Sequence, residues 1–166
     1  TTAVLAYGDA LAVAASVNHG FKDVDFGKYH PAGSLGKKLV LRVEDLMASG
    51  EEVPRVNSES LLVDAIKEMS GKRLGAVVVT DEKEDIEGII TDGDLRRLVE
   101  GRRDIYSVKS GEVMTRNPKT IDGRSMAVDA LRQIHDQDVN CLPVVEGRRL
   151  VGLITWQSVV NAGIVA

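Results

Sequence analysis

The chain has 166 residues, with 21 lysines and arginines against 25 aspartates and glutamates, and its formal net charge is −4. Hydrophobic residues make up 43% and charged residues 28% of the chain, a composition that excludes wholesale disorder. The small negative charge argues against a non-specific nucleic-acid binder. No apolar run approaches the ~20 residues that a membrane helix needs, so we expect neither nucleic acid nor membrane as a partner.

Residues 1–42 differ in pattern from the rest of the chain. Residues 2–17 are rich in alanine and apolar on nearly all sides, which predicts a helix buried in a larger body. Residues 21–38 show no clear periodicity and are expected to form a loop. Because the first residue is Thr1 and no charged segment precedes the apolar stretch, we expect no signal peptide and interpret the chain as a piece of a longer protein.

The remaining residues contain an internal repeat. The sequence VDAIKEM at 63–69 reappears as VDALRQI 65 residues later, and GIIT at 88–91 reappears as GLIT 64 residues later. Residues 53–56 align with residues 117–120 at an offset of 64. Two copies of one unit of about 60 residues therefore follow each other, and a unit that cannot bury its apolar face alone pairs with its copy.

The order of periodicities is the same in both copies. A helical apolar pattern precedes a short β-branched run, a polar turn, a second strand pattern and a short helix. The predicted elements are a helix at 61–69, strands at 76–80 and 86–91 and a helix at 95–99, then a helix at 127–135, strands at 141–145 and 150–155 and a helix at 157–162. Ser58 or Ser60 is the predicted N-cap of the first of these helices. With an opening strand near Pro54 and near Pro118, the pattern predicts a doubled β-α-β-β-α unit of the α/β (α+β) class.

Cys141 is the only cysteine. One thiol excludes an internal disulfide and, with three scattered histidines, a cysteine-based zinc site, so we expect no metal. A reducing cytoplasm is the expected location. Because Cys141 lies in an apolar strand pattern, it is expected to fill the core.

Gly88, Thr91 and Asp94 lie at a predicted strand-to-helix junction, and Met47 and Met114 open the two units. On these residues, the two copies resemble a tandem pair of cystathionine-β-synthase (CBS) domains. The resemblance implies that a nucleotide or nucleotide derivative binds in the cleft between the units. It also implies self-association of the CBS pairs as a dimer.

The start of the chain carries a second resemblance. The sequences TTAVLAYGDALA at 1–12 and HPAGSLGKKL at 30–39 resemble the end of the sugar isomerase (SIS) domain of arabinose-5-phosphate isomerases, in which such a domain precedes a CBS pair. The resemblance implies a tetrameric parent enzyme that interconverts ribulose 5-phosphate and arabinose 5-phosphate for the lipopolysaccharide or capsule sugar Kdo. Of the family's active-site residues only His30 has a match, as an acid or base, so we expect this chain alone to be inactive. The expected parts are an SIS remnant at 1–42 and CBS domains at 43–105 and 106–166.

Thr91 and Asp94 are the main candidate ligand-binding residues. A threonine hydroxyl at a helix start can donate to a phosphate, and a carboxylate three residues later can accept from both hydroxyls of a ribose. The alternative is that these residues only cap the helix. The second copy has Thr155 and Ser158 instead, so its half of the cleft is expected to be empty, to bind more weakly or to bind a different group.

Other residues are expected to edge the same cleft. Extended backbone at Pro54 can contact a base, Val56 adds apolar contact and Thr120 can hydrogen bond, although an ordinary edge strand has the same pattern. The full set of further candidates is Pro54, Val56, Ala76, Thr120 and Pro143. Trp156 either stacks on a base or sugar or belongs to the core. The Arg96-Arg97 pair either neutralises a ligand phosphate or forms a solvated helix face.

Two functions remain open at this point. In the first, the CBS pair is a regulatory module that binds a nucleotide-type effector, with CMP-Kdo favoured and AMP or ATP as the second choice, and no required cofactor. In the second, the pair holds isomerase subunits together and binds nothing, which Ser158 in place of an aspartate favours. A ligand titration distinguishes the two.

Overall fold

The computed structural model describes residues 1–22, 25, 40–101 and 104–164. The chain divides into two compact units, Thr1–Leu41 and Arg42–Ala166.

The first unit contains helix α1 (Thr2–Asn18), as the alanine-rich pattern predicts. Its side chains are exposed along the whole helix, Val4 and Val17 among them, so its burial in a larger body stays a prediction. The predicted loop at 21–38, with His30, lies almost entirely outside the described residues. Among the described helices, none has the length and apolar character needed to span a bilayer.

The second unit contains eight strands and five α-helices within the described ranges. The strands are β1 (Ala48–Ser49), β2 (Arg55–Asn57), β3 (Ala76–Thr80), β4 (Ile86–Thr91), β5 (Thr115–Arg116), β6 (Ile121–Asp122), β7 (Cys141–Glu146) and β8 (Arg149–Thr155). The helices are α2 (Leu62–Lys72), α3 (Asp92–Glu100), α4 (Ser110–Val113), α5 (Ala127–Asp136) and α6 (Trp156–Asn161). Strands β3 and β4 match the sequence prediction to the residue, and the longer helices match within a few residues at each end.

The strands form two four-stranded sheets that exchange their opening strands. One sheet has the order β2-β3-β4-β5 and the other the order β1-β8-β7-β6. Strand β1 opens the first repeat but pairs antiparallel with β8 of the second, and β5 opens the second repeat but pairs antiparallel with β4 of the first. Each repeat therefore completes the sheet of the other, which fixes the two repeats as one body.

Strand β3 is buried on both faces, which explains its continuous apolar sequence. Val77 and Val79 pack with residues of α2 in the core of the first repeat. Val78 points the other way and joins a second core cluster with Cys141 and Leu153 from the second repeat. The prediction that Cys141 fills the core is confirmed.

The strand register corrects the alignment of the opening strands. Val56 pairs with Val79, and Ile121 pairs with Val144. Val79 and Val144 each lie directly before the β-bulge of their own hairpin. Val56 is therefore equivalent to Ile121, so the offset here is 65 and not 64, and Lys119 stands where the first repeat has Pro54. The offset falls to 64 from β4 onwards, because the turn between β3 and β4 is one residue longer than the turn between β7 and β8.

The predicted serine caps of α2 are also wrong. Its N-cap is Leu61, and no cap hydrogen bond comes from that side chain. Instead, the amide of Leu62 donates to the carbonyl oxygen of Val108 over 2.9 Å, and the amide of Ser110 donates to the carbonyl oxygen of Ser60 over 2.8 Å. Backbone from the connection between the repeats therefore satisfies the start of this helix, and sequence patterns do not show such a partner.

The turn between β3 and β4 meets the turn between β7 and β8 at one end of the sheets. We call this contact the hairpin clasp. Glu84 lies at its centre, with 2.6 Å between its Oε2 and Nη2 of Arg149 and 2.8 Å between its Oε1 and Nη1 of Arg55. The amide of Leu150 donates to the carbonyl oxygen of Glu84 over 3.0 Å. Hydrogen bonding and charge from Arg149, followed by charge from Arg55, lower the pKa of Glu84 below its ordinary value of 4.5.

Candidate ligand-binding cleft

The opposite end of the sheets carries a cleft between the two repeats. The amide of Asp92 donates to the carbonyl oxygen of Gly75 over 3.2 Å, and the amide of Trp156 donates to that of Asn140 over 2.9 Å. These paired bonds place the start of β3 beside the end of β4, and the start of β7 beside the end of β8. Two cavities open here and share Gly75 and Asn140 in their walls. We call them the first half-cleft, of about 510 Å³, and the second half-cleft, of about 470 Å³.

Both repeats contribute to the first half-cleft. Its walls come from the β4–α3 junction, from the segment after β5 and from the segment between α5 and β7. The lining residues are Gly75, Ile89, Thr91–Gly93, Arg97, Thr115, Asn117–Lys119 and Asp138–Pro143. Of the site residues predicted from sequence, Thr91 and Pro143 lie here.

The first half-cleft has both charged groups and apolar walls, a combination that suits a phosphorylated ligand with an apolar ring. Arg97 and Lys119 supply two cations, and Asp92 and Asp138 supply two carboxylates. Cationic side chains bind phosphate through charge-assisted hydrogen bonds, and carboxylates accept hydrogen bonds from hydroxyl or amino groups. Apolar walls with a few convergent polar groups are typical of small-molecule sites.

Asp94 lies behind this wall, with its carboxylate held by protein groups. Its Oδ2 accepts from the amide of Thr91 over 2.8 Å and from the Thr91 hydroxyl over 2.7 Å. Its Oδ1 accepts from Nη2 of Arg97 over 2.6 Å. The side chain is only about a tenth exposed. This geometry is that of a helix cap. Three of the roughly four hydrogen bonds that a carboxylate can accept are already made within the protein, so exchange of one of them would free Asp94 for a ribose hydroxyl.

The second half-cleft lies at the β8–α6 junction, which is the equivalent junction in the second repeat. Its lining residues are Arg73, Leu74, Gly75, Asn140, Thr155, Trp156, Gln157, Ser158 and Asn161. Thr155 and Ser158 are hydrogen bonded to each other, with 3.1 Å between the Ser158 amide and Oγ1 of Thr155. Trp156 is about half exposed, at 48%, and is therefore not a core residue. Of the site residues predicted from sequence, Thr155 and Ser158 lie here.

Besides Asp94, four predicted nucleotide-binding residues line neither half-cleft in the described chain. Ala76 is fully buried between the repeats, and Val56 packs against the core of the first repeat. Pro54 is buried, and its carbonyl oxygen accepts from the amide of Val78 over 2.9 Å. The carbonyl oxygen of Thr120 accepts from the side-chain amide of Gln133. Their roles toward a ligand stay predictions, and the register places Lys119 at the cleft instead.

Cys141 reaches the first half-cleft but is not a reactive thiol. Burial, with a smaller effect from the charge of Asp92, raises the pKa of the Cys141 thiol to about 12. The thiol is therefore protonated near neutral pH, where only the thiolate is nucleophilic. In the described part of the chain, no group of three or more histidine, cysteine or acidic side chains is arranged to hold a metal ion.

Comparison with known proteins identifies the class. The sequence matches the CBS domain model at residues 43–101 and again at residues 110–164. The chain belongs to the CBS domain family and carries two copies of the domain. Among solved structures, CBSX2 from Arabidopsis thaliana in complex with AMP has a TM-score of 0.66 and 25% sequence identity, covering 74% of this chain and 96% of that chain. The CBS domain pair of protein MJ0100, solved with 5′-methylthioadenosine and S-adenosyl-L-methionine, has a TM-score of 0.64 at 22% identity, covering 72% of this chain and 93% of that chain, and shows the same fold.

Curated relatives point to one enzyme family. The chain is 41% identical over 165 residues to the arabinose 5-phosphate isomerase KdsD of Yersinia pestis, covering 99% of this chain and 50% of that protein. The KdsD proteins of Escherichia coli K12 and Pseudomonas aeruginosa are 40% and 41% identical over the same length, and the match covers 50% and 51% of them. The chain thus spans about half the length of the curated relatives it matches.

Proposed function

We propose that this chain is the regulatory CBS pair of an arabinose 5-phosphate isomerase, and that it binds a nucleotide or nucleotide-sugar effector in the first half-cleft. The observation that carries the proposal is the composition of that half-cleft, where Arg97 and Lys119 accompany apolar walls drawn from both repeats. The AMP complex of CBSX2, a relative in fold, supports a nucleotide as the class of ligand.

Binding proceeds in this proposal by exchange of one hydrogen bond. The Thr91 hydroxyl, which donates to Oδ2 of Asp94 over 2.7 Å, turns to a phosphate oxygen of the effector. The released Oδ2 then accepts a ribose hydroxyl, while Arg97 and Lys119 face the phosphate. Because the ligand contacts both repeats, its binding energy favours one relative position of the two, and such a bias is the physical basis of regulation.

CMP-Kdo is the favoured effector, with AMP or ATP as the second choice. Kdo synthesis uses arabinose 5-phosphate, so a cytidine nucleotide of Kdo is a suitable feedback signal. The parent enzyme would carry out isomerisation, with His30 as an acid or base, and this chain alone would be inactive. We also propose a cytoplasmic location and self-association of the CBS pairs as a dimer, within a tetrameric parent.

An assembly module that binds no nucleotide is the second candidate. The position of Asp94 favours it, because both carboxylate oxygens already have protein donors. In this case the CBS pair holds isomerase subunits together, and the first half-cleft has no physiological ligand.

A thermal-shift titration of this chain with CMP-Kdo, CMP, AMP and ATP separates the two candidates. A ligand at a hundredfold its Kd adds about 2.7 kcal/mol to the free energy of unfolding. For a protein of this size that corresponds to a rise in Tm of roughly 5–11 °C. A shift with one of the nucleotides supports the regulatory module. A folded sample whose Tm does not move with any of them supports the assembly module.

A further inference from the structure

The two half-clefts differ in charge at equivalent positions. Arg73 and Asp138 each follow a long helix, α2 and α5, and both have left-handed backbone, with φ of 58° and 52°. Arg73 lines the second half-cleft and Asp138 the first. The second half-cleft therefore has a cation where the first has a carboxylate, and its described lining includes no acidic residue.

The polar groups of the second half-cleft suit a hydroxylated ring. Three amide side chains line it, from Asn140, Gln157 and Asn161, and Gln157 donates to Asn161 over 2.7 Å, which fixes the orientation of that pair. Amides donate and accept at once, as sugar hydroxyls require. Trp156 offers a half-exposed aromatic face, and amphipathic aromatic rings contact the apolar face of a ring while leaving its polar edge free.

Arg73 adopts a backbone conformation that glycine would adopt more easily. A left-handed φ is uncommon for an arginine, and residues with strained backbone cluster at ligand sites. The position after a helix is where glycine is usually found. A charged side chain kept here against the backbone preference indicates that the guanidinium has a task in the cavity that it lines.

The two half-clefts adjoin each other, because Gly75 and Asn140 line both of them. Gly75 has φ of 69°, and a side chain there would place its Cβ 3.3 Å from Oδ2 of Asp92. A side chain at this position would add bulk to the wall that the two cavities share. A ligand longer than a mononucleotide therefore has a second cavity directly beside the nucleoside site.

We propose that the second half-cleft binds an acidic sugar that is joined through phosphate to the nucleoside held in the first half-cleft, and that Arg73 pairs with the sugar carboxylate. This inference rests on the proposed function, because the nucleoside end of the ligand must first bind beside Thr91. Arg73 is then the residue that selects a nucleotide sugar acid over a plain nucleotide, and Trp156 is in contact with the sugar.

Binding of CMP-Kdo and CMP to the wild type, Arg73→Gln and Arg73→Gly tests this inference. A charge-assisted pair predicts that CMP-Kdo binds the wild type about tenfold or more tightly than CMP. Both substitutions should reduce the ratio of the Kd of CMP to the Kd of CMP-Kdo to less than about twofold, and leave the Kd of CMP unchanged. Arg73→Gly should also raise the Tm of the free protein, because glycine relieves the backbone at this position. Arg96→Gln, at an exposed arginine that lines neither half-cleft, is the matched control and should keep the full advantage.

Fluorescence of the single tryptophan provides a second measurement, because Trp156 lines the second half-cleft and not the first. CMP-Kdo should change its emission at saturation, and CMP should not. Three outcomes would overturn the inference and leave the proposed function standing. The wild type could bind CMP and CMP-Kdo with equal Kd, or Arg73→Gln could keep the full ratio of the two Kd values. The third outcome is that AMP or ATP binds and CMP-Kdo binds no more tightly than they do. Absence of binding by all four nucleotides would overturn the proposed function, and the inference with it.

Discussion

Met114 packs over Gly88, so that the residue that opens the second repeat covers β4, one of the two central strands in the sheet of the first repeat. A Cβ at Gly88 would lie 2.6 Å from Sδ of Met114 and 2.9 Å from its Cβ. Met47 has the same relationship to Gly152, where a Cβ would lie 2.9 Å from Cγ of Met47. The sequence GIIT and its copy GLIT therefore begin with glycine because a methionine of the other repeat occupies the space of a side chain.

Gly88→Ala and Gly152→Ala should each lower the free energy of unfolding by about 1–3 kcal/mol, the usual cost of overpacking a well-packed site. Both methionines belong to the exchanged opening segments, so the substitutions weaken the pairing of β5 with β4 and of β1 with β8. Denaturant unfolding measures the change.

Gly71→Ala is the matched control for these two substitutions. Gly71 lies in α2, and a Cβ there would meet nothing within 4 Å. Alanine in a helix should add about 0.5–1 kcal/mol to the free energy of unfolding. Equal stability of Gly88→Ala and the wild type would show that Met114 moves aside at no cost.

Asp94→Asn should weaken nucleotide binding at least about tenfold, because the amide loses the charged acceptor for a ribose hydroxyl. The cap survives in part, since the amide oxygen still accepts from the amide of Thr91, and the loss of stability should stay below about 1 kcal/mol. Calorimetric titration with the nucleotide that gives the largest thermal shift measures the affinity.

Ser158→Ala is the control in the second repeat for Asp94→Asn. It removes an uncharged capping group from the equivalent position, so nucleoside affinity should change by less than about twofold. Unchanged binding by Asp94→Asn would mean that Asp94 is only a helix cap. Equal losses in the two variants would mean that nucleoside binding does not depend on the carboxylate.

The sequence predicts the regular elements of the repeats better than the contacts between them. Strands β3 and β4 carry β-branched runs because they are buried, and burial leaves a local pattern. The opening strands β1 and β5 have two residues each, too few for any periodicity, and their partners lie in the other repeat. Only tertiary structure shows that these segments are exchanged.

The same distinction applies to the candidate cleft. Thr91 and Pro143 are among the site residues predicted from the sequence, but Arg73 and Asn140 are not. Arg73 lies in a connection whose place beside Trp156 depends on how the two repeats pack. The available signal was an arginine directly after a helix, two residues before a glycine, where a left-handed residue is common.

Cys141 should react with thiol reagents far more slowly in the folded protein than in denaturant near neutral pH. Its pKa of about 12 leaves almost no thiolate there, and burial between the repeats blocks access. Because Cys141 lines the first half-cleft, a bound nucleotide should slow the reaction further. Labelling kinetics with and without nucleotide measure both effects. Fast labelling of the folded protein would contradict the burial that joins the two repeats.

Glu84→Gln should lower the Tm near neutral pH and should have less effect in acid. The pKa of Glu84 is lowered in the folded protein, mainly by the hydrogen bond from Arg149, so the charged form stabilises the fold at pH values above the ordinary value of 4.5. That contribution is lost as the pH falls below 4.5 and through the lower pKa of the folded state. The difference in Tm between wild type and variant should therefore shrink over this range, as melting curves at a series of pH values would show.

Glu82→Gln is the control for the hairpin clasp, because Glu82 is an exposed carboxylate in the same turn. Its effect on the Tm should be small at every pH in the series. A Glu84→Gln variant with the wild-type Tm at neutral pH would show that the backbone bond from Leu150 to Glu84 holds the two hairpins together without the ion pairs. If the Tm of Glu84→Gln lies below that of the wild type by the same amount at every pH, the Glu84 side chain acts by packing and not by charge. Only a charge effect disappears as the carboxylate is protonated.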